Sequence, residues 1–152
     1  MNSEVQQSGK HVLLVDDNPN DLELALAALS GEDTAARIVT AQGGPAALAY
    51  LHAHSGADAQ QASLVLLDLK MPQMDGLAVL EAIRADAQLR DIPVVMLTTS
   101  REHSDIQACY QRGADDYVVK PMDFEAFGET LRSTLSAWIG RPHRPASRPS
   151  GL

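Results

Sequence analysis

Five short apolar runs alternate with five stretches of helical periodicity, and the alternation predicts an α/β fold: a parallel sheet with helices on both faces. Two further observations support it. The runs are unbroken, as expected of strands covered on both sides. Most of them also stop abruptly at a charged or hydroxyl residue, which marks a strand end.

The first strand is Val12-Leu13-Leu14-Val15, ending at Asp16-Asp17. Asn18-Pro19 then supplies a helix start, with Asn as N-cap and Pro at the first helical position. Leu22, Ala25, Leu26 and Leu29 keep helical spacing, Asp21 and Glu23 lie near the positive end of the helix dipole, and Gly31 is a stop. Arg37-Ile38-Val39-Thr40 is the second strand, and Pro45 opens a helix through about His54. After a polar loop over residues 55–62 comes the third strand, Leu64-Val65-Leu66-Leu67, which stops at Asp68. Leu77, Leu80 and Ile83 mark the third helix. Val94-Val95-Met96-Leu97 runs into Thr98-Thr99-Ser100, and Ile106, Cys109 and Tyr110 stripe a fourth helix closed by Gly113. Tyr117-Val118-Val119 ends at Lys120-Pro121, and Phe124, Phe127, Leu131, Leu135 and Trp138 line the last helix.

A chain of 152 residues, 45% hydrophobic and 21% charged, suits one globular domain, placed at residues 11–139. Residues 1–10 read as a flexible N-terminus. Residues 140–152 read as a basic tail built on Arg141-Pro142, Arg144-Pro145 and Arg148-Pro149, too poor in apolar residues to form a core. Cys109 is the single cysteine and can form no intramolecular bridge, which suits a reducing cytosol. No run is long enough to span a membrane and the polar start lacks a signal peptide's apolar stretch, so a cytoplasmic protein is expected. The formal charge of −8 argues against binding nucleic acid through the whole surface.

Ligands of an open parallel sheet bind beyond the carboxyl ends of the strands. There the sequence delivers Asp16 and Asp17 from strand one, Asp68 from strand three, Thr98 from strand four and Lys120 from strand five. Three carboxylates held together repel one another unless a cation or raised pKa values relieve them. Oxygen-only ligands with room for water suit Mg²⁺. A carboxylate can also be a nucleophile, forming an aspartyl phosphate, with Lys120 and Thr98 placed to meet phosphoryl oxygens.

Val15-Asp16-Asp17-Asn18, Leu67-Asp68-Leu69-Lys70-Met71-Pro72-Gln73-Met74-Asp75-Gly76, Leu97-Thr98-Thr99-Ser100 and Gly113-Ala114-Asp115-Asp116-Tyr117-Val118-Val119-Lys120-Pro121 follow in order, each at a strand end. With them, the chain from Val12 to about Trp138 resembles the receiver domains of bacterial response regulators. That resemblance implies a flavodoxin-like, doubly wound five-stranded sheet in the order 2-1-3-4-5, with Asp68 phosphorylated by a histidine kinase. It implies Mg²⁺ held by Asp17, Asp68 and the backbone carbonyl of Lys70, with Asp16 acting through water. It implies a switch in which Thr98 turns toward the phosphoryl group and Tyr117 moves inward behind it, a cis Lys120–Pro121 bond, and readout through helix four, strand five and helix five. The Leu-Thr-Thr-Ser stretch, the Tyr-Val-Val-Lys-Pro-Met-Asp-Phe segment and Trp138 further resemble the small regulators paired with bacterial phytochrome kinases. Those are homodimers built on helix four, strand five, helix five and the C-terminal segment.

Other readings stay open. A chemotaxis-type or phosphorelay receiver is the runner-up, and a pseudo-receiver that binds a partner without phosphorylation is a third. A haloacid-dehalogenase-type phosphatase would need an Asp two residues after the nucleophile, where Lys70 stands. A flavin site would need a glycine-rich phosphate loop after strand one, where acids stand instead. Lys70 reads as solvent-facing, though it and Ser100 are placed to tune how water reaches a phosphoryl group. Cys109 reads as a small core residue and Trp138 as core packing. His52 and His54 lie on different helix faces, and His11, His103 and His143 have no partner identifiable from sequence.

Overall fold

The computed structural model describes residues 10–29, 36–56 and 60–139. Along them run β1 (His11–Asp16), α1 (Pro19–Leu29), β2 (Arg37–Gln42), α2 (Gly44–Ala53), β3 (Leu64–Leu67), α3 (Gly76–Ala85), β4 (Val94–Thr98), α4 (His103–Gln111), β5 (Asp116–Val119) and α5 (Phe124–Trp138). All five strands pair in parallel in the order β2-β1-β3-β4-β5, the flavodoxin-like arrangement expected. The stop at Gly31 and the 140–152 tail, His143 included, fall outside the described residues.

Side chains alternate across each strand, so an unbroken apolar run feeds two cores at once. Leu13, Val15, Val65, Leu67, Val94 and Met96 meet Leu51 of α2, Val79, Leu80 and Ile83 of α3, and Cys109 of α4. Val12, Leu14, Leu64, Leu66, Val95 and Leu97 meet Leu22, Ala25 and Leu29 of α1 and Phe127, Leu131 and Leu135 of α5. Each buried Leu or Val of these layers contributes about 1.5–3 kcal/mol. Cys109 is a core residue, as expected, and Trp138 packs half-buried against the second core.

The Asn18 and Gly113 signals hold, and two aspartates cap further helices. The Asn18 side chain accepts from the Asn20 amide at 2.9 Å, Asp75 from Ala78 at 3.0 Å and Asp123 from Ala126 at 2.9 Å. Gly113, at φ +104°, ends α4 with the Ala114 amide on the Cys109 carbonyl at 3.0 Å.

Three residues assigned to buried stripes are instead exposed: Leu26 at 41%, Tyr110 at 46% and Phe124 at 48%. Leu26 and Tyr110 each sit one position off the face that buries, whereas Phe124 is in line with that face but is the first residue of α5. Ala25, not Leu26, continues Leu22 inward, Cys109 takes the core position beside Tyr110, and the α5 stripe begins at Phe127. The strand β2 runs two residues beyond the expected Thr40, and most of its residues are not buried, as befits an edge strand.

Candidate functional site

Strand register assembles the site. Val15 pairs with Leu67, so Asp16 and Asp68 leave neighbouring strands at one level, and the Asp68 amide donates to the Val15 carbonyl at 3.0 Å. On the far side Thr98 pairs with Val119, and the Lys120 amide donates to the Thr98 carbonyl at 2.7 Å. Gly76 closes the loop after Asp68. Its amide donates to the Leu69 carbonyl at 2.8 Å, and a Cβ at Gly76 would strike the Asp68 carbonyl, so only glycine allows this approach.

Asp16, Asp17 and Asp68 each present a carboxylate oxygen within 4.8 Å of the others. The Lys120 ammonium lies 2.8 Å from Asp16 Oδ2 and 3.5 Å from Asp21 Oδ2. Asp68 is 9% exposed. Burial is the main cause that pushes its pKa up to about 6, and Asp16 adds to it, against the lowering pull of Lys120, Thr98 and the Leu69 amide. Burial works against the Lys120 ammonium, but the hydrogen bond to Asp16 and the charges of Asp68, Asp16 and Asp21 outweigh it and raise its pKa. One ammonium among four carboxylates leaves a surplus of negative charge. The donors are all oxygen, so the set fits a hard divalent cation such as Mg²⁺ or Mn²⁺.

The Lys120–Pro121 bond is trans, not cis as the resemblance implied. Lys120 still faces the acids, because its amide extends the β4–β5 ladder and fixes the side chain's direction. Tyr117 is half-buried against the first core, and its hydroxyl donates to the Ser100 carbonyl at 2.9 Å.

Two acids at this edge escaped the sequence reading. Asp21 had been read only as a favourable charge in the first turn of α1; one turn along from Asp17, it reaches Lys120. Asp105, in the first turn of α4, accepts from Ser100 Oγ at 2.6 Å and lies 3.2 Å from the Lys70 ammonium. The Ser100 bond is the main cause that depresses its pKa, with Lys70 adding to it against burial. The sequence reading had set Lys70 and Ser100 at the same mouth but not Asp105, because the meeting of all three depends on β3 and β4 being neighbours. The histidines lie elsewhere. His11 is buried with Nε2 2.9 Å from the Tyr50 hydroxyl, His54 stacks on Tyr50 at 4.0 Å, His52 lies 3.1 Å from Asp86, and His103 is exposed.

The sequence profile of the response regulator receiver domain matches residues 12–132. The chain belongs to that family. As a receiver it is similar to the "Probable methanogenesis regulatory protein FilR2" of Methanothrix harundinacea, 37% identical over 134 residues, covering 88% of this chain and 86% of the relative. It is also similar to the response regulator Rcp1 of Synechocystis, 30% identical over 139 residues, covering 91% and 95% of the two chains. The Mn²⁺-bound form of Rcp1 superposes with a TM-score of 0.75, covering 90% of this receiver and 99% of that chain. The phosphorylated cyanobacterial phytochrome response regulator RcpA superposes with a TM-score of 0.79 at 32% identity, over 90% of this receiver and 99% of that chain. Among the described residues no helix of this receiver is long and apolar enough to cross a membrane.

Proposed function

We propose that this receiver accepts a phosphoryl group from a histidine kinase's phosphohistidine onto Asp68. The observation that carries the reading is Asp68 itself, a nearly buried carboxylate at the end of β3 within 4.8 Å of two further acids. A carboxylate oxygen of Asp68 attacks phosphorus as the bond to the imidazole nitrogen breaks, and the electron pair leaves with the imidazole. Lys120, now on Asp16, pairs with a phosphoryl oxygen, and Thr98 donates to another. Asp17, Asp68 and the Lys70 carbonyl, with Asp16 through water, would hold Mg²⁺. That ion, when bound, neutralises charge on the carboxylates and on the phosphoryl oxygens.

The new charge favours a conformation in which Thr98 and Tyr117 are turned toward the site, and this switches the surface of α4, β5 and α5. Such a change needs about 3–5 kcal/mol of differential stabilisation, within reach of one charge-assisted pair and one or two hydrogen bonds. Likeness to the phytochrome response regulator RcpA, over 90% of this receiver and 99% of that chain, supports a phytochrome-type kinase as donor. The homodimer built on that surface and the C-terminal segment is what the sequence resemblance implies.

Acetyl phosphate with Mg²⁺ is expected to add one phosphoryl group to the wild type, read by intact mass, and none to Asp68→Ala. Equal labelling of the two would remove the reading. For the dimer, light scattering across a dilution series decides, and a persistent monomer refutes it.

A further inference from the structure

The strands β3 and β4 are hydrogen-bonded neighbours, so the loops leaving Asp68 and Thr98 flank one pocket mouth. Lys70 lies two residues past Asp68 and Ser100 two residues past Thr98, and both reach the same oxygen. Ser100 Oγ donates to Asp105 Oδ2 at 2.6 Å, and the Lys70 ammonium is 3.2 Å from it. The same serine is held at every polar atom. Its hydroxyl accepts from the Glu102 amide at 3.2 Å, its carbonyl from the Tyr117 hydroxyl at 2.9 Å, and its amide points at Thr98 Oγ1 at 3.4 Å. Asp105 is thus tied to both loops and, through Ser100, to the Thr98 and Tyr117 pair.

The geometry points to Asp105 as a positioning residue that pins Ser100 and Lys70 across the mouth of the Asp68 pocket and so sets the lifetime of the aspartyl phosphate. This rests on Asp68 being the phosphoacceptor. In hydrolysis a water oxygen bonds to phosphorus while the bond from phosphorus to the Asp68 oxygen breaks. The electron pair returns to the carboxylate, inorganic phosphate leaves and a proton passes to solvent. Lys70 and Ser100 flank the approach to Asp68 on the β3–β4 side, and Asp105 draws the two loops together. The Ser100 arm dominates, because the Asp105 side chain is 19% exposed whereas Lys70, at 65%, is screened by solvent.

The test follows loss of label from the full chain in Mg²⁺ after acetyl phosphate is removed, by intact mass. Asp105→Ala is expected to shorten the half-life about two- to tenfold, the equivalent of one ordinary hydrogen bond. Ser100→Ala is expected to act alike, and the double variant to add nothing, since both remove one contact. Asp105→Asn, which keeps an acceptor for Ser100, is expected to retain most of the wild-type lifetime. An unchanged half-life in Asp105→Ala, effects that multiply in the double variant, or an Asp105→Asn lifetime as short as that of Asp105→Ala would each overturn the assignment. Failure of the wild type to label at all would instead refute the Asp68 reading, and this inference with it.

Discussion

Two ion pairs of equal length and similar burial stand at opposite ends of the sheet, and they do different things. At the strand starts, Arg84 and Asp115 meet at 2.8 Å with side chains 15% and 11% exposed; at the strand ends, Lys120 and Asp16 meet at 2.8 Å with side chains 11% and 7% exposed. Arg84 also donates to the carbonyls of Gly113 at 3.0 Å, Arg90 at 3.0 Å and Ile92 at 2.8 Å, while Asp115 accepts from the Val94 amide at 2.9 Å. Charge and hydrogen-bonding capacity balance there, and the pair staples α3 to the turns that launch β4 and β5. Lys120 faces Asp16, Asp21 and Asp68 together, with Asp17 beside them. Distance and burial therefore do not tell a structural pair from a functional one. The surplus of unbalanced charge around it does.

Stability measurements can break this contrast. The largest effect is expected at the staple. Arg84→Met removes the cation facing Asp115 and the donor to three carbonyls, and should cost about 3–5 kcal/mol by urea unfolding. A cost below about 1 kcal/mol would show that the staple is not the balanced partner in the comparison.

At the other end the sign reverses. The Asp68 pKa is raised from 3.8 to about 6, so stability falls as pH rises between those values and the loss is complete at neutral pH. Without divalent cations, Asp68→Asn should gain about 1–2 kcal/mol at pH 7, allowing for relaxation of the site. Added Mg²⁺ should narrow the gap by stabilising the wild type. A destabilised Asp68→Asn under these conditions would contradict the surplus of charge.

The same contrast explains what could be read from the sequence. Strand cores announced themselves because both faces of β1, β3 and β4 are buried, leaving no polar interruption. Asp16, Asp17, Asp68, Thr98 and Lys120 were visible because strand ends are fixed by those runs. Their strand order, and hence their meeting, came from the family resemblance. Helix faces were less legible: Leu26 and Tyr110 are apolar residues one position off the buried stripe, where 100° of rotation puts them in solvent, and Phe124 keeps the stripe's spacing but is exposed as the first residue of α5. Asp21, Asp105 and Arg84 act across elements, through contacts that exist only once the sheet is assembled. Gly76 stood within the motif, but the reason for it, a backbone too close to Asp68 for any Cβ, is a three-dimensional fact.

Asp86, just after α3, offers an exposed, much weaker version of the staple, and the smallest effect. The Gln88 amide donates to its Oδ1 at 2.8 Å, and the His52 ring lies 3.1 Å from Oδ2. The Gln88 bond is the main cause that lowers the pKa from 3.8, against the cost of desolvation, with His52 adding to the lowering. Since the folded carboxylate is the stronger acid, its contribution to stability is present above 3.8 and is lost as pH falls through the folded value. Asp86→Ala should therefore lower the thermal midpoint slightly at neutral pH, with the difference from wild type closing on acidification. A gap that widened toward low pH would mean that Asp86 carries unrelieved charge, as Asp68 does, and would erase the distinction between the two ends of the sheet.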